Sequence, residues 1–323
     1  MRRGFLKLML MAGISALFMP EALARPRFKP VAAGLTALVR MRYSPFPYRG
    51  TNPDKHEPFL NTADGKRHGH ISPQGVTYWE DETYSDRRTL FSIPKGFNLS
   101  KPAALVVFFH GNFSTLERDV QDRQHIPAQL AESGVNAVLA APQFAVNARD
   151  SSPGNFWQPG YFSKWLAEVG AELAKLHGQH AKAAEFDRLP VILVAYSGGY
   201  YPAAWCLKLG GAGKRVGGLV LFDALYGDEE KFAQWIAARH KSAFVFSAYS
   251  QSARRSNRDL QVLLAGEGVH FQRGFPEKLV PASIYFGETP EYLDHKEFMS
   301  QAWAPDPLRW VLERVGQFRG RVD

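Results

Sequence analysis

The sequence predicts an α/β fold built on a mainly parallel sheet, and three observations predict it. Short apolar runs such as Val191–Ala195 (V-I-L-V-A) and Ala104–Phe109 (A-L-V-V-F-F) have the length and unbroken apolarity of strands covered on both faces. Between such runs lie stretches of helical character, the pattern of right-handed βαβ crossovers. The third observation is Val191–Tyr201, V-I-L-V-A-Y-S-G-G-Y-Y, where a strand ends abruptly at a serine followed by two glycines, and a helix begins.

Composition bounds the class. With 45% hydrophobic and 13% aromatic residues, the 323-residue chain has enough apolar side chain for a substantial core and lacks the profile of disorder. The net charge of +8 comes from scattered Lys and Arg. Such scatter biases the surface weakly toward anionic partners, a cell-envelope polymer or lipid headgroups, and is not a nucleic-acid footprint. The single cysteine, Cys206, excludes an intrachain disulfide and reads as a small buried hydrophobe.

In chain order, Met1–Ala24 has the layout of an export signal: Arg2 and Arg3, the apolar stretch Leu8–Met19, and Ala22-Leu23-Ala24 as a small-x-small cleavage site. The apolar run is too short to span about 30 Å of hydrocarbon, so no stable membrane anchor is expected after cleavage. R-R-G-F-L-K at Arg2–Lys7 resembles the twin-arginine export motif, with Met1 where that motif carries Ser or Thr. The resemblance implies a periplasmic or secreted protein, folded before transport, whose partner is the twin-arginine or the general export machinery. Residues 25–75, rich in Pro, Gly, Asn and charge, read as an N-terminal extension wrapping the core, with one short helix at Val31–Arg40. His68 and His70 form an H-x-H pair there; with no third ligand at familiar spacing, a solvated loop is the simpler reading, and no metal or cofactor is expected.

From residue 76 to 323 a regular alternation predicts one α/β domain. Val76–Trp79 and Thr89–Ile93 read as strands forming an antiparallel N-terminal edge. Ala104–Phe109 is a strand, Leu116–Ser133 helical with Pro127 interrupting it, and Asn136–Ala141 a strand. Phe162–His177 is a helix with Leu166, Val169, Leu173 and Leu176 on one face. After Val191–Ala195 and the helix Tyr200–Leu209 come the strand Gly217–Phe222, the helix Glu229–Arg239, and the strands Ala243–Ser247 and Ser283–Phe286. A helix over Lys296–Val315 closes the chain. Gly210–Lys214 is glycine-rich but follows a helix and has Arg215 where a phosphate loop needs Ser or Thr; it reads as a flexible connection.

In open α/β sheets reactive residues collect at the carboxyl ends of strands. Here these are His110-Gly111-Asn112-Phe113 after Phe109, Ser197 after the elbow strand, Asp223 after Phe222, and His295 after the last strand. The serine turn A-Y-S-G-G departs from the elbow signature G-x-S-x-G by Ala195, a methyl in place of a hydrogen. On these motifs the chain resembles the α/β-hydrolase superfamily of serine hydrolases, from about Val76 to the C-terminus, with the family's order Ser, Asp, His. The resemblance implies the α/β-hydrolase fold: a mainly parallel central sheet with helices on both faces and an antiparallel N-terminal edge. It further implies a catalytic triad of Ser197 as nucleophile, His295 as base and Asp223 as the acid orienting it, cleaving an ester or amide through an acyl-enzyme. The oxyanion hole would comprise the Gly198 N–H and a second N–H from Asn112 or Phe113.

The family's commonest layout places the acid one strand later, yet Ala248–Asn257 contains neither Asp nor Glu. Asp228 and Glu229 read better as the start of the next helix, and His270 lies before the last strand, where topology disfavours it as base. Candidates for substrate binding are Trp157 and Tyr161 in the segment N-F-W-Q-P-G-Y, which could stack a sugar or acyl group, and Arg254 and Arg255, which could pair a carboxylate or phosphate. The expected partner is a small-molecule or cell-envelope substrate. Two other functions stay open on the same fold: a non-catalytic binding protein for envelope glycans or peptides, and an acyltransferase using the same triad.

Overall fold

The computed structural model describes residues 34–290 and 293–318; the export signal and its cleavage site lie outside them. The central sheet has nine strands: β1 (Leu35–Arg40), β2 (Arg88–Ile93), β3 (Ala104–Phe109), β4 (Ala137–Pro142), β5 (Val191–Tyr196), β6 (Val216–Phe222), β7 (Phe244–Tyr249), β8 (Gln272–Arg273) and β9 (Ile284–Glu288). Their spatial order is β1-β2-β4-β3-β5-β6-β7-β9-β8. Only β2 runs against its neighbours, β1 and β4; every other pairing is parallel. This is the α/β-hydrolase arrangement with its antiparallel N-terminal edge.

The unbroken apolar runs follow from burial on both faces. Along β3, Leu105, Val107 and Phe109 enter one core with helices Tyr161–Leu176, Tyr200–Leu209, Glu229–Arg239 and Arg254–Gly266. Ala104, Val106 and Phe108 enter the opposite core with helices Ile126–Glu132 and Pro307–Leu312. A strand whose alternate side chains meet two cores has no polar face to display. A third, smaller cluster joins the N-terminal segment to the rest, with Phe46, Tyr48, Phe59, Tyr84, Trp157 and Trp205 at its centre.

Four expectations are corrected. Residues 31–33 of the helix expected at Val31–Arg40 lie outside the description, and Leu35–Arg40 is strand β1, paired Leu35 to Ile93 through Arg40 to Arg88. Pairing along β2 satisfies its backbone groups, and Leu38 and Val39 pack on the two cores. The antiparallel edge is therefore β1 with β2; Thr77–Trp79 pairs instead with Arg67–Ile71 in a separate three-stranded sheet. The helix expected over Leu116–Ser133 is a π-helix, Leu116–Arg123, and an α-helix, Ile126–Glu132, separated at the left-handed His125, with Pro127 in the first turn of the second. The closing helix is a 3₁₀ turn, His295–Glu297, and a short helix, Pro307–Leu312, because Pro305, Pro307 and the left-handed Asp306 break the path between them.

Candidate active site

Strand β5 delivers Ser197 onto a backbone with φ of 53°, a left-handed conformation that costs energy in any residue but glycine, and the chain turns at once into the 3₁₀ segment Ser197–Gly199 and the helix Tyr200–Leu209. Close approach explains the small neighbours. A methyl group at position 199 would stand 2.4 Å from the Phe109 carbonyl oxygen, and one at 198 would stand 1.9 Å from Ser151 Oγ. Ala195 occupies the place where the elbow signature has its first glycine, and its methyl is absorbed by the sheet core, with no exposure.

His295 meets Ser197 from the loop after β9. Its Nε2 lies 2.7 Å from Ser197 Oγ and its Nδ1 lies 2.6 Å from Asp223 Oδ2. Only one tautomer serves both contacts: Nδ1–H donates to the carboxylate while Nε2 accepts from the serine hydroxyl. Tyr196 steadies this loop twice, its ring stacked on the imidazole with centroids 5.4 Å apart and its hydroxyl donating to the His295 carbonyl at 2.7 Å.

Asp223 is fully buried at the end of β6, also at positive φ, 43°, and its own N–H donates to the Ala248 carbonyl. Oδ1 accepts from the Ser250 N–H at 2.8 Å; Oδ2 accepts from Ser250 Oγ at 2.8 Å, Ser252 Oγ at 2.9 Å and, more distantly, the Tyr226 hydroxyl at 3.3 Å. Burial opposes ionisation, but the hydrogen bonds from His295 and the Ser250 N–H overcome it and hold the carboxyl below its usual range. The loop after β7, which has no acid, thus supplies donors to the acid one strand away. Ser250, Ser252, Tyr226 and Tyr196 were not singled out in the sequence; the only sequence signal was the missing acid of Ala248–Asn257.

The turn after β3 packs over the elbow. His110 is buried; its Nδ1–H donates to the Gly111 carbonyl at 2.8 Å, while Nε2 accepts from the Phe144 N–H at 3.0 Å and faces the Gln143 amide. Burial pushes its pKa down, against a smaller upward pull from the Gly111 carbonyl. Of the two expected second donors, Phe113 is corrected: its N–H is spent on the Ala148 carbonyl at 2.8 Å, because φ of 56° turns that part of the loop toward residue 148. The Asn112 side chain lies above the backbone of Gly198, its Oδ1 accepting from Ser151 Oγ at 2.5 Å.

Substrate-binding candidates fare differently. Trp157 is only 4% exposed, packed against Tyr48, Phe59 and Tyr201, so its indole is a core group and offers no stacking face. The cause is the N-terminal segment, which folds over it. Tyr161 is half-buried, edge-on to Tyr43. Arg254 and Arg255 open the helix Arg254–Gly266: Arg254 pairs with Glu288 at 2.5 Å, and Arg255, 95% exposed, reaches Asp259 at 3.8 Å. Asp228 pairs with Lys231 at the start of its helix, and His270 is exposed. His70 is buried, its Nδ1 against the Phe59 carbonyl at 2.6 Å. Among the described residues no group of three or more His, Cys, Asp or Glu is placed to hold a metal ion.

No family model matches the chain, and no curated protein does. Among solved structures it is similar to a feruloyl esterase module from Clostridium thermocellum, 11% identical over 88% of this chain and 99% of that one, with a TM-score of 0.44. It is also similar to an S-formylglutathione hydrolase from Agrobacterium tumefaciens, 15% identical over 79% and 98% of the two chains, TM-score 0.41. A ferulic acid esterase from Anaeromyces mucronatus is 15% identical over 83% and 96%, TM-score 0.39.

Proposed function

We propose that the protein is a serine hydrolase that cleaves an ester or amide through an acyl-enzyme on Ser197. The observation that carries this reading is the imidazole of His295, held between Ser197 Oγ at 2.7 Å and Asp223 Oδ2 at 2.6 Å. As Ser197 Oγ attacks the substrate carbonyl carbon, its proton passes to His295 Nε2, and the resulting imidazolium is held by the Asp223 carboxylate. Negative charge on the carbonyl oxygen meets the backbone N–H groups of Gly198 and Asn112, where each donor contributes about 3 kcal/mol. Collapse expels the alcohol or amine, which takes the proton from His295. Water, losing a proton to the same imidazole, then attacks the acyl carbon, and Ser197 leaves with that proton returned.

The test is labelling with a fluorophosphonate probe. The intact protein is expected to form one adduct, on Ser197, and Ser197→Ala and His295→Ala to form none; an inert folded protein sinks the reading. Export is proposed from the sequence of Met1–Ala24 alone: protein recovered from the periplasm is expected to begin at Arg25, and Arg2→Lys with Arg3→Lys to leave it in the cytoplasm with residue 1 retained.

A further inference from the structure

Asp223 Oδ2 is crowded. His295 Nδ1, Ser250 Oγ and Ser252 Oγ all lie within 2.9 Å of it, and Tyr226 OH stands at 3.3 Å. A carboxylate oxygen has about two lone pairs, so these donors compete. The hydroxyls also contact one another: Ser252 Oγ is 2.9 Å from both Ser250 Oγ and Tyr226 OH. The shorter Tyr226 contact is thus to Ser252, and Tyr226 OH reaches His295 Nδ1 itself at only 3.4 Å. Three side chains from two loops, those following β6 and β7, close a ring of hydroxyls around the one oxygen that faces the imidazole.

We propose that Ser250, Ser252 and Tyr226 are positioning residues that pin the Asp223 carboxylate against His295 and draw off part of its negative charge. Two things follow from the geometry. Held by the Ser250 N–H on one oxygen and by hydroxyls on the other, the carboxylate cannot rotate about its own axis, so Oδ2 stays on the imidazole. And since a carboxylate that donors share holds a neighbouring imidazolium less tightly, the ring sets how strongly Asp223 holds the imidazolium that forms when His295 takes the serine proton. The other ionisable group against the imidazole is Tyr196 beneath it, on which Arg123, Asp223, Asp294 and Asp119 act.

This inference rests on the triad reading, and its test separates the two. The readout is the second-order rate of Ser197 modification by a fluorophosphonate as a function of pH, which requires no known substrate. Ser250→Ala with Ser252→Ala is expected to lower the rate about tenfold and to move the acid limb of the profile upward by about half to one pH unit; the corresponding Thr pair, which keeps both hydroxyls, restores both. Tyr226→Phe, at a side chain 39% exposed, is expected to give a smaller shift in the same direction, and it carries the test if the double variant does not fold. Labelling of Ser197 with an unmoved acid limb in these variants overturns the hydroxyl ring alone. No labelling of the unaltered protein overturns the triad reading and the ring with it.

Discussion

A methyl group at position 111 would stand 2.7 Å from the Cβ of Ser197 and 3.2 Å from its Oγ, so the backbone of Gly111 lies directly against the proposed nucleophile. The atom in the way is part of a strained turn and not the end of a flexible side chain. Gly111→Ala is therefore expected to displace Ser197 from His295 and to slow fluorophosphonate labelling by about a hundredfold, the usual effect of an ångström-scale misplacement. Overpacking adds a stability cost of about 1–3 kcal/mol, measured by urea unfolding. Labelling within threefold of the unaltered protein contradicts this view of the contact.

His110 ties folding to pH. Neutral in the fold, it accepts from the Phe144 N–H, and burial keeps its pKa below that of an unfolded histidine. In the unfolded chain it takes up a proton below about pH 6.5. The unfolded state then binds the extra proton, so stability falls as pH drops below that value and is fully present above it. This group adds up to about 1.4 kcal/mol per pH unit to the slope. Urea midpoints between pH 7 and 5 are expected to fall less steeply for His110→Asn than for the unaltered protein; parallel slopes refute the assignment.

Trp157→Ala separates packing from recognition. With the indole enclosed by Tyr48, Phe59 and Tyr201, its removal is expected to cost about 3–5 kcal/mol of stability. Labelling of Ser197 at temperatures where the variant is folded is expected to continue at a near-normal rate. Normal stability with selective loss of ligand binding would restore Trp157 as a recognition residue.

The strand–serine–helix sequence of Val191–Tyr201 carries its geometry locally, which is why the elbow was legible: β-branched residues make the strand, and Gly198 and Gly199 permit the turn. His295 and Asp223 were legible through topology, since each directly follows a strand in the expected order. Leu35–Arg40 was not, because six residues of mixed exposure have no period long enough to separate helix from strand, and only pairing with β2 decides. Nor were Ser250, Ser252 and Tyr226. Hydroxyls at ordinary loop positions acquire meaning from a carboxylate that the fold brings from another strand. Trp157 misled for a related reason: an aromatic-rich loop looks the same in sequence whether or not a distant segment covers it.

Ser197 and Asp223 share the left-handed backbone conformation at the ends of adjacent parallel strands. Each side chain is aimed by its main chain, and each main chain is held in that conformation by the sheet. The arrangement ties local geometry to global cooperativity: Ser197 and Asp223 lose their mutual alignment only when β5 and β6 part, whereas His295, on the loop after β9, is held by side-chain contacts. Heating is thus expected to part Ser197 from Asp223 only together with the sheet, while Ser197 reactivity, which also needs His295, is lost at or below that temperature; reactivity that outlasts sheet structure would contradict this.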